Sequence, residues 1–448
     1  MNKLQVGFGR TNITPAMGTP VAGYYKDRYA DGVLDEIEAN AIAFECDGVK
    51  ALLISIDHCG LKKVLCDIYR EKISAAVGIP TDKIIVTTTH THTGPEARLN
   101  TGNELVDIYV DFLGRKLVDV SILALSDLLP AKLGFGKGIA PHVAFVRRFR
   151  MKDGSVETNP GVNNPNIDHP LGDVDETVHV LRFDREGADT IILANFGNHP
   201  DTVGGNKISG DWPTLFRHQI EKSLDGVKSI FINGAQGDVN HVNVFPTGGD
   251  LNGMFMDFDD VSRGYTHAIH LGRVVAGAVL QCYDKVKYVD VDSIDCREKV
   301  ISLASNKPTA DQLPEAYRIH ELHAAGKDSE LPYKGMMLTT VVAEAERMVR
   351  LENAPDSFPM PLMCMRIGNI SLIGIAGEPF TGIGVGLKAT EGFDFVCPIC
   401  NANGDEGYFP MQSAYDEGGY ESRSSEFKAG VAENIIAEGR KFMLEMKK

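Results

Sequence analysis

The sequence lacks the features that would place it in a membrane or on a nucleic acid. No apolar run approaches the roughly 20 residues that cross a bilayer, and the first residues, Met1–Val6, lead into a strand without an apolar leader. Positive charge is scarce, since 45 Lys and Arg stand against 61 Asp and Glu, a net charge of −16. Such a chain repels phosphate backbones and anionic lipids. The sequence predicts a cytoplasmic protein with no nucleic-acid partner and no stable membrane insertion.

Disulfide and redox patterns are also lacking. The 8 Cys are scattered, and several, such as Cys46 and Cys364, lie inside apolar runs, which is typical of reduced core thiols. Cys397 and Cys400 have the spacing of a redox pair, but no helix follows them at once, and core thiols are the favoured interpretation. No repeat, low-complexity segment or convincing linker divides the chain.

Short apolar runs alternate with amphipathic stretches from residue 4 to about 300, which indicates an α/β fold. The predicted strands are Ala51–Ile56, Ile84–Thr89, Val178–Phe183, Thr190–Phe196, Ser229–Ile232, Ile370–Ile375 and Phe393–Pro398. The predicted helices are Glu104–Leu125, Pro213–Leu224, Thr266–Tyr283 and Glu426–Met446. We expect a mixed β-sheet core flanked by helices, with the active site at the carboxyl ends of strands, in one catalytic domain over residues 1–448.

Two segments look like additions to this scaffold. Residues 305–355 are charged and helical, with Pro308, Pro314 and Pro332 as breaks, and we expect a helical insertion that acts as a lid or as the arm of a homo-oligomer. Residues 248–260 are rich in Gly, Met, Phe and Asp, which suits a loop. That loop either borders a substrate pocket or is an ordinary surface loop.

The strongest local signal is a pair of histidines, His90 and His92, at the end of the β-branched run 84–89. Ligands of open α/β sheets bind beyond the carboxyl ends of strands, and neutral imidazole is a good zinc ligand. Two histidines hydrogen-bonded in a tight turn are the alternative.

Polar residues follow four other predicted strands in the same way. If these ends lie side by side in the sheet, they form one polar basin, and two His with one carboxylate are a common catalytic zinc set. The residues are His199 and Asp201, Asn233 to Asp238, Glu378, and Asn401, Asp405 and Tyr408. Asp57 and Asp238 either orient ligand histidines or cap strand ends, and His267 with His270 is interpreted as a solvated helix face.

Six stretches resemble the catalytic domain of the neutral/alkaline, non-lysosomal ceramidases, which are zinc-dependent amidases. In chain order they are VGFGRTNITPAMGTPVAGY, THTHTGPE, NHPDTVGGNKISGDWP, INGAQGDVN, IAGEPF and NANGDEGYFPMQSAYDEGGYES. They keep the order of that family and cover most of the chain from Val6 to about Ser422. HTHTGP and the spacing of Tyr408 to Tyr420 are the more specific parts.

The resemblance implies a zinc ion and a set of catalytic groups. The zinc ligands would be His90, His199, Glu378 and Tyr408. His92 would relay a proton beside the metal-activated water, Tyr420 would lie near the scissile carbonyl, and Arg147, favoured over Arg148, would face the substrate. Asn240 would donate a hydrogen bond or orient the water, because it stands where the family has a Ser proposed as nucleophile.

The departures from the family bear on the substrate. Unlike the secreted members, this protein is expected to have no signal peptide and no β-sandwich after the catalytic domain, and it carries Asn240. We therefore expect a small soluble acyl compound as substrate. The leading hypothesis is a zinc amidase acting by metal-activated water. A zinc esterase or lactonase and a non-catalytic, zinc-stabilised binding protein are the alternatives.

Overall fold

The computed structural model describes residues 4–447, so Met1–Lys3 of the predicted N-terminal segment and Lys448 lie outside the described residues. The first strands are β1 (Gln5–Asn12), β2 (Gly32–Val33), β3 (Glu38–Cys46), β4 (Val49–Ile56), β5 (Ile84–Thr88), β6 (Leu129–Ile139), β7 (Phe145–Val146), β8 (Arg148–Met151), β9 (Val156–Thr158), β10 (Ile167–Pro170), β11 (Thr177–Arg185) and β12 (Thr190–Phe196). The later strands are β13 (Lys207–Ile208), β14 (Val227–Asn233), β15 (Val239–Asn240), β16 (Phe255–Met256), β17 (Ser262–Arg263), β18 (Lys287–Val289), β19 (Ile294–Ala304), β20 (Ser357–Ile367), β21 (Ile370–Ile375), β22 (Glu378–Pro379), β23 (Phe395–Ile399) and β24 (Tyr408–Phe409). The helices are α1 (Lys63–Val77), α2 (Glu104–Ser126), α3 (Asp211–Ser223), α4 (Tyr265–Tyr283), α5 (Leu313–Ala324), α6 (Gly335–Leu351), α7 (Thr381–Lys388), α8 (Gln412–Glu417), α9 (Tyr420–Ser424) and α10 (Val431–Glu445).

Two sheets form the centre of the molecule. The larger is 9-stranded, in the order β14-β12-β11-β6-β1-β3-β4-β5 with β18 paired to β6, and the smaller is 4-stranded, β19-β20-β21-β23. Both are mixed: β4–β5, β12–β14 and β21–β23 pair in parallel, and the other neighbours within these sheets are antiparallel. The predicted mixed β-sheet core flanked by helices is confirmed.

The hydrophobic core is divided into layers by these sheets. Apolar side chains of the larger sheet, such as Leu53 and Leu193, pack against Met365 and Leu372 of the smaller one. The outer face of the larger sheet is covered by α1 and α2 in one cluster and by α3 and α4 in another. Helices α7 and α10 cover the outer face of the smaller sheet. Because both faces of the central strands are covered, strands such as β21 are buried at every residue.

The strands that carry the predicted polar basin do not lie side by side in one sheet, as the sequence suggested. β5 and β14 are the two edge strands of the larger sheet, whereas β21 and β23 belong to the smaller sheet. The larger sheet curls, so that Ser55 Oγ donates to the carbonyl of Phe231 at 2.6 Å. The strand ends meet across two sheets, a relationship that no spacing in the sequence could show.

The predicted C-terminal helix begins later than expected. Gly430 has a left-handed φ of 91° directly before α10, so the helix covers Val431–Glu445 instead of Glu426–Met446. Phe427 is buried and forms a β-bridge to Ser305. Its apolar side chain reaches the core through this bridge and not through a helical face.

Helices α5 and α6 lie between β19 and β20, within the predicted insertion 305–355. They pack on each other around a small core that includes Ile319, Val342 and Met348. The single domain over 1–448 and the role of this helical pair in oligomerisation stay predictions. Within residues 4–447, no helix is long and apolar enough to cross a bilayer.

Candidate metal centre and active site

His90 reaches the site through a sharp bend after β5. Its φ is 75°, in the left-handed region that residues with a side chain rarely adopt. The amide N–H of His90 donates to the carbonyl of His58 at 2.9 Å, and Asn233 Nδ2 donates to the carbonyl of Thr89 at 3.0 Å. A strained residue of this kind costs about 1–3 kcal/mol, so these contacts are needed to enforce the bend.

Backbone carbonyls fix the orientation of two imidazole rings. Nδ1 of His90 lies 2.7 Å from the carbonyl oxygen of Cys59, and Nδ1 of His199 lies 3.0 Å from that of Gln236. Since a carbonyl oxygen only accepts, each Nδ1 carries the proton, and in the neutral ring Nε2 then presents a lone pair. Histidines that bind metals are commonly oriented in this way.

Glu378 enters the site between two closely packed loops. A Cβ at Gly377, whose φ is 154°, would lie 2.5 Å from the carbonyl oxygen of Gly407, so this approach requires glycine. β22 then pairs in parallel with β24, which places Glu378 opposite Tyr408. Gln236 Nε2 donates to Oε2 of Glu378 at 3.2 Å and fixes that oxygen.

Three donor atoms converge from these three elements. Nε2 of His90 and Nε2 of His199 are 3.3 Å apart, and Oε2 of Glu378 lies 3.3 Å from each. Ligands roughly 2.0–2.1 Å from a tetrahedral zinc ion are separated by roughly 3.3–3.4 Å, so the spacing fits zinc. The three groups could therefore hold a metal ion.

The charges of this cluster favour a cation. Burial raises the pKa of Glu378, but attraction to His90, then to His199 and Arg147, outweighs burial and holds that pKa below its ordinary value. Burial, reinforced by Arg147 and His90, holds the pKa of His199 well below its ordinary value. Metal ions bind the deprotonated form of both residue types, and the fold favours that form at Glu378 and His199.

Tyr408 and Arg147 close one side of the cluster. The Tyr408 ring stacks on that of His199 with centroids 6.5 Å apart, and the Arg147 guanidinium carbon lies 5.4 Å from the Tyr408 centroid. Arg147 donates to Glu421 at 2.8 Å and to the carbonyl of Gly237 at 2.7 Å, and its Nη1 lies 3.4 Å from His199 Nε2. Burial raises the pKa of the Tyr408 phenol well above its ordinary value, so a nearby cation is needed to make it an anionic ligand.

The neighbouring Arg148 points away from the cluster. It donates to Glu417 at 3.1 Å and to the carbonyl of Gly418 at 2.8 Å. Of the two arginines that the sequence offered, Arg147 is the one beside the donor atoms.

His92 stands on the other side of the donor atoms. Its Nε2 lies 3.3 Å from Nε2 of His90, and its Nδ1 lies 3.8 Å from Oδ1 of Asp201. Arg263 holds Asp201 through two hydrogen bonds of 2.9 Å, and the Tyr24 hydroxyl also donates to this carboxylate. Burial, opposed by Asp201, lowers the pKa of His92 to about 3, so its ring is neutral and has a lone pair to accept a proton.

A cavity of about 270 Å³ opens above the cluster. Among the predicted site residues, those that line it are His92, Arg147, His199, Tyr408 and Tyr420. Phe258 and Asp259 of the loop 248–260 form part of its wall, and so do Met336, Leu338 and Val342 of α6. Both segments that the sequence marked as additions therefore border the cavity.

The same arrangement of sheets and helices occurs in solved structures. A crystal structure of neutral ceramidase from Pseudomonas aeruginosa matches with a TM-score of 0.73 and 16% identity, over 100% of this chain and 75% of that chain. A structure of ceramidase complexed with C2 gives 0.74 and 16%, over 100% and 76%. The fold is that of neutral ceramidase. No protein-family model and no curated protein sequence matches the chain.

The resemblance to neutral ceramidase that the motifs predicted is thus confirmed, and at 16% identity it is a likeness of fold. Tyr420, the second tyrosine of that resemblance, lies against Tyr408 with ring centroids 5.6 Å apart at 72°. Burial raises its pKa well above the ordinary value, so its phenol is a neutral donor facing the cavity.

Asn240 is buried behind the wall of the cavity in this ceramidase fold. Its Nδ2 donates to Oδ1 of Asn159 at 2.8 Å, and its Oδ1 accepts from the amide N–H of Val242 at 3.0 Å. Asn159 lines the cavity in its place. Any influence of Asn240 on a substrate therefore passes through Asn159.

Asp57 and Asp238 anchor helices and do not touch the ligand histidines. Asp57 accepts from both terminal nitrogens of Arg217, at 3.0 and 2.6 Å, and so fixes α3. Asp238 accepts from the amide N–H and the hydroxyl of Thr381, at 2.7 and 2.9 Å, at the start of α7. These contacts of both carboxylates are therefore with helices α3 and α7, which is neither the orientation of a ligand histidine nor the capping of a strand end.

Sequence reasoning placed three orienting residues in the polar basin but assigned them no role. Gln236 contacts His199 and Glu378, Asn401 lies 3.0 Å from Nδ1 of His90, and Asp201 is held beside His92. All three follow predicted strands, so their position was visible in the sequence, but their partners come from distant segments.

Proposed function

We propose that this chain is a zinc-dependent hydrolase that cleaves the amide bond of a small N-acyl compound. The observation that carries this proposal is the convergence of His90 Nε2, His199 Nε2 and Glu378 Oε2, each 3.3 Å from the next, beneath a cavity. The neutral ceramidase fold supports it at the level of reaction class.

In this proposal His90, His199 and Glu378 hold the ion, with Tyr408 as the fourth ligand. When bound, zinc supplies Lewis acidity, which lowers the pKa of water at an open position and polarises a carbonyl oxygen. Gln236 supports two of the ligands at once, because its carbonyl accepts from His199 and its side-chain amide donates to Glu378.

The remaining groups of the cavity would transfer the proton and stabilise the negative charge of the reaction. The water oxygen adds to the acyl carbon, the C–N bond breaks, and the proton released by the water goes to the leaving nitrogen. His92, whose ring is held between the donor cluster and Asp201, is the group placed to carry that proton. Arg147 and the phenol of Tyr420 are donors for the negative charge on the carbonyl oxygen, and one such donor is typically worth about 3–4 kcal/mol.

The cavity supports a small substrate. Its volume of about 270 Å³ lies below the roughly 300–1,000 Å³ of pockets for drug-sized ligands. The apolar side chains of Phe258, Met336, Leu338 and Val342 line it, which suits a short acyl chain. An N-acyl compound with a short chain fits this space better than a long-chain lipid.

The attacking group would be water itself. Asn240 occupies the place of a proposed nucleophile, and a carboxamide is not a usable nucleophile. The neighbouring Asn233, Gln236 and Asn243 carry the same inert group. The reaction is therefore a single displacement without a covalent acyl intermediate.

Metal analysis combined with a substrate screen tests this function. Purified protein should contain zinc that is lost on His90→Ala and on His199→Ala, whereas His169→Ala, at an exposed position, should leave the zinc content unchanged. Among amides, esters and lactones of graded chain length, short amides should be cleaved fastest, and chelation should abolish the activity.

Three results would contradict the proposal. Full zinc retention in both His variants would remove the site, and faster cleavage of esters or lactones would reassign the reaction. Binding of acyl compounds without turnover in the zinc-loaded protein would indicate the non-catalytic alternative. The cytoplasmic location and a homo-oligomer through 305–355 stay predictions beside this proposal.

A further inference from the structure

A row of aromatic rings leads from the donor cluster to an exposed lysine, Lys26. His92 stands beside His90, and the Tyr24 ring lies against that of His92 with centroids 5.3 Å apart. The Phe258 ring follows, with its centroid 5.2 Å from that of Tyr24, and the Lys26 ammonium nitrogen lies 5.0 Å from the Phe258 centroid. Lys26 and these three rings line the same cavity of about 270 Å³.

This row lies on the side of the cavity that would receive the leaving nitrogen. His92 is the group placed to carry a proton to that nitrogen. Arg147 and Tyr420, the donors for the carbonyl oxygen, stand with Tyr408 on the other side of the donor atoms. A substrate whose acyl carbon faces the cluster therefore directs its amine part toward the row that ends at Lys26.

The Phe258 ring positions the Lys26 ammonium group without neutralising its charge. A cation within about 6 Å of a ring centroid is attracted to the ring, and the attraction is weak at an exposed site such as this one. No ion pair joins Lys26 to a carboxylate among residues 4–447. The three N–H donors of the ammonium group are therefore available to an acceptor on a ligand.

The two arginines that line the cavity are already paired. Arg263 donates from all three of its side-chain nitrogens, to Asp201 at 2.9 Å and to Asp259 at 2.6 and 2.8 Å. Arg147 donates to the buried carboxylate of Glu421 at 2.8 Å. Among the described residues that line the cavity, the remaining permanent cation is the lysine of the ring row.

We propose that Lys26 binds a carboxylate on the amine part of the substrate, which makes the substrate an N-acyl amino acid. The inference rests on the proposed function, in which the chain cleaves a small N-acyl compound. Water adds across the C–N bond, so the products are a short carboxylic acid and a free amino acid. The ammonium group of lysine is a compact point charge that can donate to either oxygen of the carboxylate.

A substrate with a second, cationic amine is the alternative that the charges of the wall allow. Arg263 carries one positive charge against the two carboxylates of Asp201 and Asp259, so one negative charge remains. All four oxygens of these carboxylates accept from Arg263, however, and each residue is only 8% exposed. The charge that a ligand in the cavity can reach is therefore that of Lys26, which is exposed and unpaired.

Isothermal titration calorimetry on the full, zinc-loaded chain tests the proposal without turnover. The probes are the ketone isosteres of N-butyrylglycine and of N-butyrylglycinamide, in which a methylene replaces the N–H group. The wild-type chain should bind the acid about five- to tenfold more tightly than the amide, as expected for one partly exposed charge pair. Lys26→Met should remove the difference and leave the affinity for the amide unchanged, whereas Lys26→Arg should keep it. Lys132→Met, at an exposed position of β6 outside the cavity lining, is the matched control.

Steady-state kinetics separates this proposal from the proposed function. N-butyrylglycine should have a higher kcat/KM than N-butyrylglycinamide, and Lys26→Met should raise KM for the acid with little change in kcat. If no amide is cleaved, the proposed function fails, but the difference in binding that depends on Lys26 would still stand. Equal binding of acid and amide by the wild type, the same preference in Lys26→Met, or tighter binding of the isostere of N-butyrylethylenediamine would overturn the assignment of Lys26.

Discussion

Gln236 and Glu378 are joined by a hydrogen bond of 3.2 Å, although 142 residues separate them in the chain. The amide of Gln236 donates to the same Oε2 that lies 3.3 Å from His90 and His199. This bond fixes the carboxylate oxygen that the proposed metal site requires.

Gln236→Met should therefore weaken metal binding without removing a ligand. Loss of such a supporting contact typically costs about 10–100-fold in metal affinity. Zinc affinity measured by competition with a chromophoric chelator checks this expectation, with Gln219→Met, at a half-buried position of α3 away from the cluster, as the control. Equal affinities of the two variants would show that Glu378 needs no such support.

Zinc should stabilise the folded chain. An ion that binds only the folded state at about 1,000 times its Kd adds about 4 kcal/mol to the free energy of unfolding. Differential scanning calorimetry with and without zinc should show this as a higher Tm. His90→Ala/His199→Ala should lose this increase, whereas His169→Ala, at an exposed position, should keep it. A Tm of the wild-type protein that does not depend on zinc would contradict the site.

The acid–base and supporting roles predict different losses of rate. His92→Ala should lower kcat by about 10²–10⁴-fold, as expected for a positioned proton carrier. Asn240→Ala should cost only about tenfold to a hundredfold, because Asn240 acts through Asn159. Steady-state kinetics on the best substrate of the screen compares them. A larger loss at Asn240, burst kinetics or an acyl adduct trapped by rapid quench would point to covalent catalysis.

Asp35 should make stability fall with rising pH. Burial raises its pKa from 3.8 to about 6, against hydrogen bonds from Ser209 Oγ and the amide N–H of Gly210, with Asp57 adding repulsion. Between these two pKa values the folded state keeps a proton that the unfolded state has lost, so the free energy of unfolding decreases as pH rises through this window.

Asp35→Asn should remove this contribution, because Asn cannot ionise. Its Oδ1 can still accept from the amide N–H of Gly210, and its Nδ2 can donate to Ser209 Oγ. Urea denaturation of variant and wild type across the window between pH 3.8 and about 6 should show the variant gaining relative stability as pH rises. Parallel pH profiles would disprove the assignment.

Much of the fold could be predicted from the sequence because the elements carry clear local patterns. The strand Ile370–Ile375 was placed at the observed residues, and the helix predicted over Glu104–Leu125 differs by one residue. The helix predicted from Glu426 is too long, because Phe427 is buried through a β-bridge to Ser305 and not on the face of a helix. Apolar spacing does not distinguish a residue in a β-bridge from one on a helix face.

The partners of the site residues could not be predicted from local patterns. His90 and His199 stood out because they follow strands, whereas Glu378 sits in a short Gly-Glu-Pro turn that resembles any other. Only the family resemblance marked it as a ligand, and the pairing of β22 with β24, which places Tyr408 beside it, is a contact between distant segments. Contacts between residues of two separate sheets produce no periodic pattern in the sequence.

The left-handed backbone conformation of His90 places the imidazole in the site but lowers the stability of the fold. Asn and Gly adopt a φ of 75° at lower cost than His does, so a substitution there could relax the bend. Selection of variants for heat resistance alone would then favour losing the histidine. If His90 is retained under such selection, the reason is the ligand that its imidazole binds. A mutational survey that scores each variant separately for thermal stability and for zinc binding would show opposite preferences at this one position.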